Sequence, residues 1–441
     1  MNTTVDSPVA AKPAPAPFTA PRPNAFLMWA LGYINRWFIL SGLPFVRRIP
    51  GVRDIPGFRG YLRIRLDFPD ADRARLERAV NPSTAAFIGP NHPEFGADWM
   101  IDKELSTIVA PKMASWAAKE IVSSAPGFWR ANNLVSNAGG DDAMEYSIKW
   151  AIAGRAVLLH PEGTVRWTGD KIHPLFSGIA ELATETARRL AERGSNRAVY
   201  IVPIVWKLRY VGDVSSAMHR DMDRIEAALG LPQGNAKNVA SRFWMLQKNI
   251  LAVQAERFGY SENSAQRLDF FDRQDAFRLW LVGDLESRYA VEPSDSIERR
   301  IRRLERAIRA ERSRLREAAG VEADPRMVQL RDDLARAGEA MRLGGFTREV
   351  YATPTLSQEQ IAESLKRIRA ALLRSGTTNV LHNYLPRPYG ARVAHIRVPE
   401  PIRIDPERAS SADPDEREAY VEELLEQTRR AMQDALDGLS S

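Results

Sequence analysis

Short apolar runs alternate with segments of helical periodicity between residues 83 and 210. The runs Ala85–Ile88, Ala156–Leu159 and Val199–Val205 have the length and composition of buried strands. The segments Asp141–Ala153 and Ser177–Glu192 carry apolar residues at helical spacing, and each is followed closely by a glycine that can end a helix. This order predicts an α/β fold, with a mixed, largely parallel sheet flanked by helices.

Beyond Tyr210 the pattern becomes helical and rich in charge. Apolar stripes at helical spacing begin at Val239 and at Ile297. A strand pattern returns at Ala391–Asp405, where prolines end it, and an amphipathic helix follows. We therefore expect an α/β domain in two parts, 61–212 and 388–441, interrupted by a large, charged helical insertion over 213–387.

The N-terminal region has two different patterns. Residues 1–24 are rich in proline and alanine without periodicity, which predicts a disordered tail. Residues 25–60 contain two apolar blocks, split by Asn35 and Arg36, and each block is too short to cross a bilayer as a helix. Their aromatic residues and the arginines that follow predict an amphipathic, membrane-associated segment. The alternative is a soluble helix packed on the core.

Composition excludes several classes of site. The 441 residues include no cysteine, which rules out disulfides, thiolate metal sites and cysteine nucleophiles. The six histidines are scattered without the spacing of a zinc motif, so we predict no metal. The net charge of +6 suits contact with anionic lipid or phosphate, although many soluble proteins share it. Nucleic acid is disfavoured because the arginine-rich stretch 299–316 lacks interleaved aromatic residues.

Two loops that follow predicted strands carry the candidate chemistry. Asn91–Asp98 contains a histidine and an aspartate, and His160–Trp167 contains a Glu-Gly-Thr turn with a nearby arginine. An imidazole beside a carboxylate can take a proton from an alcohol. Because no serine is placed as a nucleophile, this pair favours direct attack by a substrate hydroxyl. The turn and its arginine suit a phosphate group.

The order of these motifs resembles the glycerolipid acyltransferases of the lysophosphatidate (1-acylglycerol-3-phosphate) acyltransferase type. The matching segments are Asn91-His92 with Asp98, Gly127-Phe128-Trp129-Arg130, Pro161-Glu162-Gly163-Thr164 and Ile201-Val202-Pro203-Ile204. The resemblance covers residues 83–210 well and 391–436 loosely, and it does not cover 213–387.

The resemblance implies a general base, a phosphate site and a set of partners. His92 would be the base for the acceptor hydroxyl, and Asp98 would orient it. The co-substrate would be acyl-CoA or acyl carrier protein, with no metal or bound cofactor, and the acceptor would be a membrane lipid. The protein would then be peripheral or monotopic at the cytoplasmic face of a membrane. The acceptor site would be lined by Arg130, Glu162, Gly163, Thr164 and Arg166.

The sequence departs from the family pattern in the first loop. Five residues separate His92 from Asp98, where the family has four. Either the loop absorbs the extra residue beside Gly96, or the pair is impaired, in which case Glu94 is a substitute partner.

Two further departures lie in the second loop. Val165 stands where the family has arginine, so either Arg166 binds the phosphate or the acceptor is not a phosphate monoester. His160 replaces the usual aromatic residue before Pro-Glu-Gly, as a polar addition to the site or as a residue packed against the sheet.

The sequence therefore predicts a membrane-associated O-acyltransferase that acts on a lysophospholipid hydroxyl. One alternative is an acyltransferase for a non-phosphate amphiphile, such as an aminolipid or a glycolipid. The other is a non-catalytic lipid-binding scaffold whose arginine-rich helices form its working surface. The acyl donor, the chain length and the oligomeric state stay open.

Overall fold

One mixed sheet forms the centre of the part of the chain that carries the two candidate loops. The computed structural model describes residues 18–40, 60–94, 96–109, 113–163, 165, 168–261, 268–293, 296–319, 325–353, 355–373 and 387–439. Within these residues the strand order is β1-β7-β6-β2-β5-β3-β4, and β8 pairs with β6. All pairs are parallel except those of β6 with β7 and with β8. The strands are β1 Ile64–Asp67, β2 Ala85–Pro90, β3 Ala114–Ala117, β4 Leu134–Ser136, β5 Val157–Leu158, β6 Val199–Tyr210, β7 Arg392–Arg397 and β8 Ile402–Arg403.

Strand β2 lies in the middle of this sheet and is buried along its whole length. Because side chains alternate along a strand, Ala85 and Phe87 enter one apolar core, while Ala86 and Ile88 enter the other. Helices cover both faces, as continuous apolar strands require. These helices are α2 Asp70–Ala79, α3 Asp98–Val109, α4 Lys119–Ser124, α5 Pro126–Ala131, α6 Gly140–Ile152 and α7 Gly178–Glu192, with α15 Pro406–Ala409 and α16 Pro414–Asp437 near the C-terminus.

The region between β6 and β7 is helical. It builds two apolar cores of its own, one around Phe243 and Tyr351 and the other around Leu281 and Leu304. Its last long helix also contacts the sheet: Glu359 accepts a hydrogen bond from the Tyr210 N–H (2.8 Å). The helices are α8 Ser215–Leu229, α9 Val239–Phe258, α10 Phe270–Tyr289, α11 Ile297–Ala319, α12 Pro325–Leu343, α13 Arg348–Tyr351 and α14 Gln358–Leu372.

The segment before the first strand packs on the α/β part. Helix α1, Ala25–Ile34, continues into a π-helical turn over Asn35–Leu40. The two polar residues that split the apolar blocks have protein partners: Asn35 donates to the Met100 carbonyl (2.7 Å) and Arg36 pairs with Glu104 (2.5 Å). Residues 25–40 therefore pack on the α/β part, and the membrane association of this segment stays a prediction; residues 41–59 lie outside the described residues.

The predicted disordered tail over 1–24 is wrong for residues 18–24. Phe18 packs on the ring of Tyr146, and the backbone N–H groups of Arg22 and Asn24 donate to α5 carbonyls at 3.0 and 2.8 Å. The prediction relied on the proline and alanine content of this stretch, whereas its ordered conformation comes from backbone hydrogen bonds to α5. Residues 1–17 lie outside the described part of the chain.

The α/β class and the mostly parallel mixed sheet are confirmed. The predicted strand 199–205 is longer than expected, since β6 extends to Tyr210, where it pairs with β7. The predicted strand over 391–405 is two short strands, because Pro399 and Pro401 interrupt it. In the described portions of the chain, no helix is both long enough and apolar enough to cross a membrane.

Candidate functional site

The structure brings His92 and Asp98 together at the end of β2. The Nδ1 atom of His92 lies 2.8 Å from Oδ2 of Asp98, and both side chains are largely buried. His92 follows directly on the central strand, and Asp98 is the first residue of α3. A carboxylate at a helix N-terminus is favoured by the backbone dipoles.

The loop takes up its extra residue at Gly96. This glycine has φ +86°, in the left-handed region that other residues avoid. Its N–H and that of Trp99 both donate to Oδ1 of Asp98, at 3.0 and 2.7 Å. The Asp98 carboxylate therefore closes the turn with one oxygen and faces His92 with the other. The sequence left two interpretations of the five-residue spacing, and this geometry matches the one in which the loop absorbs the extra residue.

Two side chains hold the backbone of this loop in place. Asn91 exchanges hydrogen bonds with the Trp206 backbone on β6, donating to its carbonyl (3.1 Å) and accepting from its N–H (2.9 Å). Glu162, from the second loop, accepts from the His92 N–H (2.9 Å) with one oxygen and from the His173 N–H (3.1 Å) with the other. Glu162 is buried, so it positions the base through the backbone.

A second histidine–aspartate pair lies against the first. The Nε2 atom of His160 is 3.0 Å from Oδ2 of Asp102, and its Nδ1 faces the Asn91 carbonyl at 3.2 Å. The rings of His92 and His160 are stacked, with centroids 4.0 Å apart and planes 15° apart. Asp98 and Asp102 are one helical turn apart on α3, so a single helix face supplies both carboxylates.

The second loop turns at Gly163, which has φ +70°. A Cβ at this position would meet the Phe176 ring at 2.4 Å, so glycine is required by both conformation and space. Arg302 of α11 lies over the same Phe176 ring, with its guanidinium carbon 4.9 Å from the ring centroid. The helical region thus reaches the Glu-Gly-Thr loop from outside.

Glu94 is not a substitute partner for His92, and that alternative is wrong. Its carboxylate binds Lys366 (2.6 Å) and Arg392 (2.8 Å), and all three groups are buried. Burial alone would raise the pKa of Glu94, but Arg392 and Lys366 lower it to about 2. The Glu94 carboxylate therefore pairs with Lys366 and Arg392 and not with His92.

The remaining predicted site residues are only partly placed. Arg130 lies on α5, where its Nε donates to the Ala20 carbonyl (3.2 Å), so this described contact ties it to the segment before α1. Gly163 is exposed beside Phe176. Thr164 and Arg166 lie outside the described residues.

The ligand atoms of His92, Asp98 and His160 lie within 4.8 Å of one another, close enough for one cation. Their orientation suits hydrogen bonding better. Two imidazoles that share an ion point a lone pair each at one position, whereas stacked rings hold their nitrogens side by side. Both nitrogens of His160 also face oxygen acceptors. We therefore interpret the cluster as two stacked acid–base pairs.

Sequence reasoning missed Asp102, Lys366, Arg392 and Glu363. Asp102 carried a signal, because its i+4 spacing from Asp98 places both residues on one face of any helix that covers them, although no helix was predicted at this position. The other three carried none. Lys366 and Arg392 are separated from Glu94 by 272 and 298 positions, and Glu363 from its Gly169 N–H donor (3.1 Å) by 194.

Comparisons with known proteins add no relative. No protein-family model matches the chain, and no curated protein matches its sequence. The resemblance to glycerolipid acyltransferases therefore stays a prediction based on the motifs and their geometry.

Proposed function

We propose that the protein is a membrane-associated O-acyltransferase that moves a fatty acyl group from a thioester to the hydroxyl of a lysophospholipid or a similar amphiphile. The observation that carries this proposal is the contact of His92 with Asp98 at the end of the central strand. The carboxylate fixes the ring so that Nδ1 faces it, which makes Nε2 the basic atom.

The proposed step uses a proton that His92 takes and later returns. As Nε2 accepts the hydroxyl proton, the acceptor oxygen attacks the thioester carbonyl carbon, and a C–O bond forms. The tetrahedral intermediate collapses with cleavage of the C–S bond, and the departing thiolate takes the proton from the His92 imidazolium. The products are an ester and a free thiol. Asp98 stabilises the imidazolium between the two transfers.

The surface beside the site supports contact with lipid. On α1, Met28 and Gly32 face the protein, while Phe26, Trp29 and Tyr33 are exposed. Trp99, next to Asp98, and Phe128 on α5 are exposed as well. Aromatic residues of this kind are enriched at membrane interfaces. A bilayer on this side would bring an amphiphilic acceptor close to His92.

The test is acyl transfer by the purified protein in detergent micelles. Acyl-CoA or acyl carrier protein thioester is supplied with a panel of lysophospholipids, aminolipids and glycolipids, and products are read by mass spectrometry. We expect a product with the wild type and a loss of about 10² to 10⁴ in rate for His92→Ala, the usual contribution of a general base. The headgroup of the product identifies the acceptor class.

The matched control is His395→Ala. His395 also contacts an aspartate, with Nδ1 2.6 Å from Asp67, but it lies on β7 and is partly exposed. We expect this variant to keep its turnover. Equal loss in both variants would remove the role of general base from His92. A wild type that binds vesicles but gives no product across the panel would favour the non-catalytic scaffold.

A further inference from the structure

The His160–Asp102 pair has no assigned task in the proposed reaction. It is as well buried as the His92–Asp98 pair, with side-chain exposures of 12% and 6% against 15% and 3%. Both nitrogens of His160 face protein oxygens, so this ring has no nitrogen to offer a substrate without leaving a partner. Its ring face, in contrast, lies directly on the ring of His92.

We propose that His160 is a positioning residue, held as an imidazolium by Asp102 and the Asn91 carbonyl, and that its stacked positive charge keeps His92 unprotonated and ready to accept a proton under mildly acidic conditions. This inference rests on the proposed function of His92 as a base.

The surroundings of His160 favour the cation. Burial alone would lower the pKa of His160, but the charge and hydrogen bond of Asp102, the charge of Asp98 and the Asn91 carbonyl raise it to about 9. Burial and the charge of Asp98 raise the pKa of Asp102, whereas the charge and hydrogen bond of His160 lower it. The geometry favours the ion pair, because each ring nitrogen of His160 faces an oxygen and a ring with two N–H groups is the cation.

The charged groups that contact the two histidines or lie in their loops come from three elements. Helix α3 supplies Asp98 and Asp102, the loop after β5 supplies Glu162, and the loop after β2 supplies Glu94, which is bound to Lys366 and Arg392. Of these groups, His160 is the cation in ring-to-ring contact with His92. Its own counter-charge, Asp102, is bonded at the ring edge, so the positive end of the pair faces the base. A positive charge this close disfavours a second proton on His92.

Such a device would matter at a membrane. The anionic surface of a bilayer attracts protons, and a potential of about −30 mV corresponds to a local pH lower by about half a unit. An unmodified imidazole, which titrates near pH 6.5, would lose part of its basic form there. The stacked cation offsets that loss for His92.

The first measurement follows the titration of His92 by NMR in the full-length protein with isotope-labelled histidine, from about pH 5 to about pH 9. His92→Ala identifies the resonance. In His160→Phe, which keeps a stacked ring without charge, we expect the His92 midpoint to rise by about one pH unit. Asp102→Asn, which removes the anion that holds the cation, should raise it in the same direction. His395→Phe serves as the matched control and should leave it unchanged.

The second measurement is the pH profile of kcat/KM for acyl transfer. Its acidic limb should move upward by the same amount in both variants, so that activity falls about tenfold below the wild-type limb and the loss narrows as the pH rises. The proposal is overturned if the His92 midpoint is unchanged or lower in both variants, or if His160 of the wild type is neutral at pH 7. Because the NMR titration needs no turnover, it decides this inference even if the protein transfers no acyl group.

Discussion

The helical region and the α/β part bury charge in different ways. In the helical region the buried carboxylates pair with guanidinium groups, as in Arg242–Glu226 (2.6 Å) and Arg342–Glu339 (2.5 Å). At the ends of β2 and β5 the buried carboxylates Asp98 and Asp102 contact imidazoles instead. A guanidinium keeps its proton at any physiological pH, whereas an imidazole exchanges one near neutrality. The imidazole pairs of the α/β part can therefore exchange protons near neutrality, whereas the arginine pairs of the helical region hold fixed charges.

The two regions are in contact beside the candidate loops. On helix α14 of the helical region, Lys366 donates to Glu94 in the first loop, and Glu363 accepts a hydrogen bond from the Gly169 N–H, which follows the second loop. The helical region therefore braces both loops from one helix. Variants that separate bracing from chemistry test this division.

The largest effect on stability is expected for Glu94→Gln. It leaves Lys366 and Arg392 buried without their counter-charge, which costs about 3–5 kcal/mol of unfolding free energy. Glu226→Gln, within the helical region, should cost less, because Asp223 still pairs with Arg242 (2.6 Å) when Glu226 is lost. Denaturant unfolding measures both. At temperatures where each variant is folded, Glu94→Gln should lose turnover and Glu226→Gln should not, because Glu94 lies in the loop of His92 and Glu226 does not.

The same pair of variants can break the comparison. If Glu226→Gln lowers turnover as much as Glu94→Gln while both remain folded, the helical region takes part in the reaction beyond bracing the loops. Glu423→Gln is the surface control, since its partner Arg408 is exposed and exposed ion pairs contribute little to stability.

The next effect concerns Asp98→Asn. The amide keeps an oxygen for the Gly96 and Trp99 N–H groups, so the turn should persist. It no longer stabilises the imidazolium of His92, and kcat should fall by about 10²-fold, the lower end of what a base contributes. Asp67→Asn, at the His395 pair, should leave kcat unchanged. A folded Asp98→Asn protein with wild-type kcat would remove the acid–base role from this pair.

A smaller effect is expected for Glu363→Gln, and it depends on pH. Burial, the nearby charge of Asp170 and, more weakly, Glu94 raise the pKa of Glu363 to about 8. Since the folded-state pKa lies above the unfolded value, the carboxyl group stabilises the fold at low pH, and this contribution is lost as the pH rises through about 8. The glutamine variant does not titrate. Its unfolding free energy should exceed that of the wild type by about 1–2 kcal/mol above that pH, a figure reduced for partial contact with water. A constant difference across the range would contradict the raised pKa.

Sequence patterns predicted what depends on neighbours along the chain. The sheet class and the strand before His92 follow from periodicity, and a loop with a glycine gave the means to bring His92 and Asp98 together, whereas the helix that begins at Asp98 was not predicted. The buried cluster of Glu94, Lys366 and Arg392 could not be predicted from sequence patterns. Its members come from distant segments, and in the sequence each looks like an ordinary surface charge. His160 was recognised as a polar residue in place of an aromatic, but its partner on α3 became visible only when the two strand ends were adjacent.

The smallest effect, and the sharpest test of the comparison, is expected for Arg302→Ala. Arg302 lies over the Phe176 ring, which itself lies beside Gly163. If the helical region only braces the site, losing this cation–π contact should cost about 0.5–1 kcal/mol of stability and leave kcat/KM within about twofold. Thermal unfolding and the micelle assay measure the two quantities, with Arg257→Ala, over Phe258 in the helical region, as the matched cation–π control. A drop of tenfold or more in kcat/KM for Arg302→Ala alone would mean that the arginine-rich helix binds the acyl donor or the acceptor, because a lost packing contact of this size accounts for no such change.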